Sequence, residues 1–216
     1  LVGYSAGAQL LQRYTLFAAA APEGVALRYV IAAPGSWLYF DERRPQPLRG
    51  NNDSPDAGNG MGSTQKHTDK ASNWPLCDTP NACDFAFKKP AQQTACPHYN
   101  EWRYGVDALP PHLAAGAASP TAVAAMRERY RAAPITYAIG AKDQGTSQEA
   151  RYQVLDKSCS AKLQGSFRLQ RALAFYAYDK AFIQPQQPRT LVMVPGCGHS
   201  ATCVLPSAEM RAVLSP

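Results

Sequence analysis

Three features are missing from this 216-residue chain, and each absence excludes a class of protein. It has no run of eighteen apolar residues, so we expect no transmembrane helix. It has no C-x-x-C pair, and the spacing of its histidines does not suit a zinc site. It has no internal repeat, which excludes a solenoid. The length instead predicts one domain with enough residues for a sizeable core.

Clustered positive charge is also missing, although the net charge is +6. The basic residues are scattered, and the densest groups are the pairs Arg43-Arg44 and Lys88-Lys89. A solvated surface accounts for this distribution, and no recognition motif accompanies it, so we expect no nucleic-acid partner. No signal peptide is visible either, but the chain does not begin with Met, so this absence carries no information.

The first residues contain the pattern G-x-S-x-G, at Gly3-Tyr4-Ser5-Ala6-Gly7. Chance alone would place this pattern in roughly one chain of this length in fifteen, so its surroundings decide its meaning. Leu1 and Val2 are apolar and suit the end of a buried strand. The apolar residues that follow recur at spacings of three and four, as on one face of a helix: Leu10, Leu11, Tyr14, Phe17 and Ala18. A strand, a turn and a helix are the setting of a nucleophile elbow.

A nucleophile elbow explains these residue types. Its serine lies on a strained turn, and we expect both flanking glycines to leave room where the strand passes the helix. The helix begins at the nucleophile, so its N-terminal N–H groups face developing negative charge. The N–H of Ala6 would be one oxyanion donor. The alternative is that Ser5 is an ordinary helix N-cap.

A serine nucleophile needs a base, and the base needs an acid that orients it. The chain has only four histidines: His67, His98, His112 and His199. Of these, His199 lies in a Gly-rich loop after a β-rich apolar stretch at residues 190–194, and Asp143 lies in a turn after a similar stretch at 135–139. The order Ser5, Asp143, His199 is the order of the triad in α/β hydrolases.

Other roles for these residues stay open. Asp143 could be a turn former after a strand, and His199 could be a loop histidine. Asp156, in VLDKSC, is the reserve acid, although no strand precedes it. His98, in CPHYN, is expected to pack in the region over the site rather than to take part in catalysis.

With these three pieces in place, most of the chain resembles the α/β-hydrolase superfamily. The segments GYSAGAQLLQRY, RYVIAAPGSWLYF, CPHYNEWRYG and LDKSCSAKLQGSFRLQRA also resemble a subgroup of secreted, polyester-depolymerase-like esterases. The resemblance implies an α/β-hydrolase fold, with a mostly parallel sheet and helices on both faces. In that fold the nucleophile follows the fifth strand of eight. We therefore expect this chain to be a fragment or one product of a cleaved precursor, with the missing N-terminal segment as a partner.

The cysteine count indicates disulfides and an oxidising compartment, because it is even: Cys77, Cys83, Cys96, Cys159, Cys197 and Cys203. Six reduced, buried thiols are the alternative. Fifteen pairings are possible, and the sequence alone cannot choose among them. Proximity in the sequence favours the pairs Cys77–Cys83 and Cys197–Cys203, which leaves Cys96 and Cys159. The resemblance supports this last pair. The sequon Asn52-Asp53-Ser54 agrees with secretion, although Pro55 weakens it.

Hydrophobic pattern and turn residues divide the chain into a core and an insertion. We expect the first helix to run to about residue 20 and a strand to cover 25–32. Residues of about 41–75 are rich in Gly, Asn, Asp, Ser and Pro, which predicts a loop. Together with the cysteine-bearing stretch that follows, they form the expected cap insertion at 41–118, so the core comprises 1–40 and 119–216. In the core, strands and helices alternate along the chain, which predicts a parallel sheet. After the insertion we expect a helix from Pro120, a strand at 135–139, a helix at 165–181 and a strand at 190–194.

The predicted function is hydrolysis of carboxylic esters through an acyl-enzyme on Ser5, with His199 as base and Asp143 as orienting acid. No metal or organic cofactor is needed. The expected partner is a small or polymeric ester, without stable membrane insertion. A serine peptidase is one alternative, because the triad does not choose the leaving group. A non-catalytic binding protein on this fold is another, which the intact serine, acid and histidine disfavour.

Three residues are candidates for contact with the substrate. Tyr4 precedes the proposed nucleophile, and Ser36 and Trp37 follow the next strand. Core packing explains Trp37 equally well.

Overall fold

The computed structural model describes residues 1–19, 21–47, 85–91, 95–111, 113, 120–144 and 153–215. Along this part of the chain the strands are β1 (Val2–Tyr4), β2 (Tyr29–Ala32), β3 (Arg44–Pro47), β4 (Phe85–Lys88), β5 (Ile135–Gly140) and β6 (Leu191–Val194). The helices are α1 (Ala6–Tyr14), α2 (Pro120–Ala132), α3 (Cys159–Lys162), α4 (Arg168–Tyr178), α5 (Ala201–Val204) and α6 (Ala208–Leu214). One π-helical turn, Asp179–Ile183, continues α4.

The central sheet has four parallel strands in the order β1-β2-β5-β6. Val2 lies opposite Val30, and Tyr29 lies opposite Ile135, so the carboxyl ends of these strands meet at one edge of the sheet. Among the described residues β1 pairs on one side only, and the side chain of Val2 is half exposed. The expectation of a parallel α/β sheet is confirmed, and its carboxyl edge is where the residues singled out from the sequence converge.

Helices cover both faces of the sheet. Because successive strand residues point to opposite faces, Ile31 and Tyr137 pack with α1, α2 and α4, whereas Ala32 and Ala138 pack with α5 and α6. On the larger side, Phe175 of α4 lies in an aromatic cluster with rings from β5 and from the segment after β2. Strands buried on both faces are typical of parallel sheets and account for the apolar runs in the sequence.

A small antiparallel sheet, β3 with β4, lies outside the central one. The composition of residues 41–75 predicted a loop from its first residue, but β3 forms at Arg44–Pro47. Its two prolines are tolerated because each strand of a two-stranded sheet is an edge. Arg44 is fully buried and donates to the backbone oxygens of Tyr99 and Tyr104, which joins two described parts of the predicted insertion to each other. The backbone N–H of Tyr39 donates to the carbonyl of Tyr104 at 3.0 Å and so connects the insertion to the core.

Helix α1 departs from its predicted length and orientation. It ends at Tyr14 rather than near residue 20. Leu10 is 72% exposed, whereas Gln12 is fully buried. The Gln12 amide accepts from the backbone N–H of Leu38 at 3.0 Å and donates to its carbonyl at 3.3 Å. Those two bonds satisfy a buried polar side chain, so the buried face of α1 is set by hydrogen bonding as well as by apolar residues.

Candidate active site

Ser5 occupies the turn between β1 and α1 in a conformation that serine rarely adopts. Its φ and ψ are 53° and −114°. A positive φ brings Cβ close to the backbone and is uncommon outside glycine, so the surrounding structure must hold the residue there. The backbone N–H of Ser5 donates to Ala32 at 2.9 Å, and its carbonyl accepts from Gln9 at 3.1 Å. These bonds join the turn to β2 and to the first turn of α1.

The two flanking glycines have different roles. A Cβ at Gly3 would lie 2.5 Å from the carbonyl oxygen of Gly7 and 3.0 Å from Cα of Ala8, so only glycine lets β1 pass α1 this closely. A Cβ at Gly7 would meet no described atom within 4 Å. The expectation that both glycines relieve a clash is therefore correct for Gly3 and wrong for Gly7.

His199 and Asp143 reach the same edge of the sheet from the loops after β6 and β5. The two loops are packed against each other, because the N–H of Lys142 donates to the carbonyl of Cys197 at 2.8 Å. A Cβ at Gly140 would overlap the carbonyl oxygens of Cys197 and Gly198. Glycine at position 140 is therefore the reason that the histidine loop can cross the end of β5.

The structure brings the three predicted residues into one line of contacts. Nε2 of His199 lies 3.0 Å from Oγ of Ser5, and Nδ1 of His199 lies 2.8 Å from Oδ2 of Asp143. His199 is 8% exposed and Asp143 is 3% exposed, whereas Ser5 is more accessible. A hydroxyl, an imidazole and a carboxylate in this order can move a proton from the hydroxyl to the imidazole while the carboxylate stabilises the cation.

A fourth residue, Arg168 at the start of α4, also contacts this group and is not predicted from the sequence. Its Nη1 lies 3.6 Å from Oδ1 of Asp143, and both side chains are about 5% exposed or less. The backbone N–H of Leu169 also donates to the carbonyl of Asp143 at 3.1 Å. Periodicity predicted the helix, but only the tertiary packing places its first turn against Asp143.

Ala6 is the first residue of α1, and its N–H is directed toward the serine end of the helix. The first N–H groups of a helix have no acceptor within it, and the helix dipole makes this end attractive to negative charge. The ring of Tyr4 lies 5.2 Å from the ring of His199, centroid to centroid, and so forms part of the wall beside the imidazole.

The other two substrate candidates are less accessible. Ser36 is fully buried, and its hydroxyl donates to Oε1 of Gln9 at 3.1 Å. Trp37 is 1% exposed and stacks on Phe175 at 4.5 Å between ring centroids. The burial of Trp37 favours core packing over contact with a substrate.

The reserve acid Asp156 lies in a separate cluster. Its carboxylate accepts from the hydroxyl of Tyr104 at 2.6 Å and from the backbone N–H of Ser158 at 2.9 Å. Burial opposes its ionisation, but the hydrogen bonds from Tyr104 and Ser158 outweigh burial and lower the pKa of Asp156. The carboxylate beside His199 is that of Asp143. The expectation that His98 packs within the insertion is wrong, because its side chain is 74% exposed and pairs with Glu101 at 2.7 Å.

Two disulfides join four of the six cysteines. Cys197–Cys203 closes a small ring that contains His199, with Cα atoms 5.7 Å apart. Cys96–Cys159 links the insertion to α3 across 63 positions. Cys77 and Cys83, the remaining predicted pair, lie outside the described residues.

The described residues contain no group of three or more His, Cys, Asp or Glu side chains that could hold a metal ion. None of the helices in the same residues has the length and apolar character needed to cross a membrane.

No protein-family model matches the chain, and no curated protein matches it in sequence. Poly(aspartic acid) hydrolase-1 from Sphingomonas sp. KT-1 matches with a TM-score of 0.49 and 18% identity, over 98% of this chain and 51% of that chain. A poly(3-hydroxybutyrate) depolymerase from Bordetella parapertussis matches with a TM-score of 0.44 and 19% identity, over 92% of this chain and 44% of that chain. The chain thus spans about half the length of these solved structures.

Proposed function

We propose that this chain carries the active site of a serine hydrolase that cleaves carboxylic esters, with Ser5, His199 and Asp143 as its catalytic triad. The observation that carries the proposal is the unbroken line of contacts from Oγ of Ser5 through the imidazole to the carboxylate, at 3.0 and 2.8 Å. The strained backbone of Ser5 adds support, because strain persists at sites where it serves a function.

In the proposed mechanism Ser5 is the nucleophile. The imidazole of His199 donates Nδ1–H to Asp143, which leaves the lone pair of Nε2 free to accept the hydroxyl proton of Ser5. Oγ then attacks the ester carbonyl carbon and forms a tetrahedral oxyanion. The N–H of Ala6 stabilises this oxyanion, together with the dipole of α1.

The intermediate collapses when the alcohol leaves with the proton carried by His199. This step gives an acyl-enzyme on Ser5 and regenerates the neutral imidazole. A water molecule then gives a proton to Nε2 and attacks the acyl carbon. As the second tetrahedral intermediate collapses, the bond between Oγ and the acyl carbon breaks, His199 returns its proton to Oγ of Ser5, and the carboxylic acid is released. Asp143 holds the imidazole in the correct tautomer and stabilises its cation in both halves of the reaction.

We also assign residues 41–118 to a cap and the protein to an oxidising compartment outside the reducing cytosol. The assignment of the cap is supported by Arg44, which ties the backbone at Tyr99 and Tyr104 to β3. The compartment is supported by the two described disulfides, since reducing compartments keep thiols unpaired.

The test is the turnover of p-nitrophenyl esters by the natural protein that carries this chain. Wild-type protein should release p-nitrophenol with saturation kinetics. Ser5→Ala should lower kcat by several orders of magnitude with little change in the thermal unfolding midpoint, since the serine side chain is small. Ester hydrolysis at a similar rate in the Ser5→Ala protein would contradict the proposal.

The same assay separates an esterase from a peptidase. Acyl p-nitroanilides with the same acyl groups offer an amide in place of the ester. We expect the ester to be hydrolysed well above its spontaneous rate and the anilide not to be. Anilide turnover with a comparable kcat/KM would reassign the site to a peptidase.

A further inference from the structure

The carboxylate of Asp143 has two partners, one at each oxygen. Oδ2 lies 2.8 Å from Nδ1 of His199, and Oδ1 lies 3.6 Å from Nη1 of Arg168. The proposed mechanism requires only the contact with His199. The second contact involves a cation on a different element of the fold, and nothing in the acyl-transfer steps above uses it.

Burial makes the second partner necessary. The side chain of Asp143 is 4% exposed, and an isolated carboxylate is strongly destabilised when it leaves water. A neutral imidazole at His199 offers this carboxylate a hydrogen bond but no compensating charge. Arg168 is itself 4% exposed and supplies that charge, so the pair leaves neither ion alone in the interior.

The position of Arg168 is fixed by the way α4 begins. The amide oxygen of Gln170 accepts the backbone N–H of Ser166 at 2.8 Å, which satisfies one donor at the helix start. The N–H of Leu169 donates to the carbonyl of Asp143 at 3.1 Å, so the first turn of α4 is attached directly to the turn that carries the acid. Arg168 therefore meets Asp143 as part of a docked helix rather than as a flexible surface side chain.

We propose that Arg168 is a positioning residue of this site: it balances the charge of the buried carboxylate of Asp143 and keeps Oδ2 directed at His199. The inference rests on the proposed triad. Arg168 pairs with Asp143, and its proposed effect on the reaction is exerted through that carboxylate.

Removal of the cation has a definite effect on the pH dependence. Among the described residues, Arg168 from α4 faces Asp143, and Tyr4 and Ser5 at the end of β1 face His199. The cationic residue Lys142 precedes Asp143 in the same turn. Without Arg168 the pair binds a proton more readily, whichever of its members takes it. A protonated pair lacks either the free base or the orienting carboxylate. When the pH is lowered, a protein without Arg168 should therefore lose its activity at a higher pH than the wild-type protein does.

The experiment compares three substitutions in the natural protein. Arg168→Met removes the charge and keeps most of the stem, and Arg168→Lys keeps the charge. Arg171→Met is the matched control. Arg171 lies one turn further along α4, is fully buried, and donates to the backbone oxygens of Gly165, Gly35 and Asp156 instead of to Asp143.

The expected results differ among the variants. Arg168→Met should lower kcat by about 10- to 100-fold, as loss of a residue that orients a catalytic group does, with KM nearly unchanged. It should also move the acid limb of the kcat/KM profile up by about one pH unit. Arg168→Lys should return that limb to its wild-type position. Arg171→Met should lower the unfolding midpoint and leave the limb in place.

Two outcomes would overturn the inference. One is an Arg168→Met profile that superimposes on the wild-type profile with kcat changed less than twofold. The other is an equal shift in Arg171→Met, which would make the role of Arg168 structural. If Arg168→Met does not fold, Arg168→Gln provides the neutral variant for the same comparison. Wild-type protein that shows no Ser5-dependent ester hydrolysis would instead overturn the proposed function, so the two failures are distinguishable.

Discussion

Oγ of Ser5 lies 3.0 Å from Nε2 of His199, although 194 positions separate the two residues in the chain. Ser5 follows β1 and His199 follows β6, at opposite edges of the described four-stranded sheet. Three strand spacings separate those edges, roughly 14 Å. The histidine loop therefore has to cross the end of β5, which it does where Gly140 leaves room beside Cys197.

The elbow geometry predicts opposite effects for its two glycines. Gly3→Ala should destabilise the protein by about 1–3 kcal/mol or more, since its Cβ would strike the backbone of Gly7 and Ala8. Gly7→Ala should be neutral or stabilise by up to about 1 kcal/mol, because alanine is the better helix former and no described atom obstructs it. Urea unfolding of the two variants measures the difference. Equal losses of stability in the two variants would contradict the close approach of β1 and α1 at Gly3.

The two candidate acids should respond differently to the same substitution. Asp143→Asn should lower kcat by about 10⁴, as the equivalent change does in a serine protease. An amide that donates to Nδ1 would place the imidazole proton on Nε2. A protonated Nε2 cannot accept the hydroxyl proton of Ser5. Asp156→Asn removes a carboxylate that is bonded to Tyr104 and Ser158, so its kcat should change less than about tenfold. Steady-state kinetics of both variants decides, and the reverse ranking would transfer the role to Asp156.

The disulfides should separate stability from activity. In a chain-entropy description, the ring closed by Cys197–Cys203 contributes about 2 kcal/mol, and the longer loop closed by Cys96–Cys159 contributes about 4 kcal/mol. The shorter ring contains His199, and a misplaced base is expected to cost about 10- to 100-fold in kcat.

Double alanine variants test this separation. Cys197→Ala with Cys203→Ala should lose more activity and less stability than Cys96→Ala with Cys159→Ala. Thermal unfolding and the kcat of the folded fraction are the two measurements. A short-ring variant with wild-type kcat would show that the disulfide does not restrain His199.

The pattern of apolar residues within a segment is sufficient to predict several of the strands and helices. The strands at β5 and β6 were expected from their apolar β-rich composition, and the helix after Gly7 from its spacing of three and four. The carboxyl ends of parallel strands meet at one edge of the sheet, which is why residues that follow such strands lie close together there. That geometry explains why Ser5, Asp143 and His199 could be selected from the sequence.

The remaining features depend on contacts between distant segments. Gln12 is buried and Leu10 is exposed on α1 because the backbone of Leu38 supplies two hydrogen bonds to the amide. Arg168 meets Asp143 because α4 docks on the turn after β5. Neither partner is visible from the sequence around the residue itself, so the hydrophobic pattern alone assigns the wrong burial to Gln12 and no role to Arg168.

The most direct test of the account is covalent labelling of the natural protein with a fluorophosphonate, followed by peptide mapping. We expect one label per chain, on the peptide that contains Ser5, because an activated serine attacks phosphorus as it attacks a carbonyl. Labelling should fall by several orders of magnitude in His199→Ala, and heat-denatured protein should not react. Label on a different serine, or labelling of Ser5 at the same rate without His199, would contradict the assignment of Ser5 as a nucleophile activated by His199.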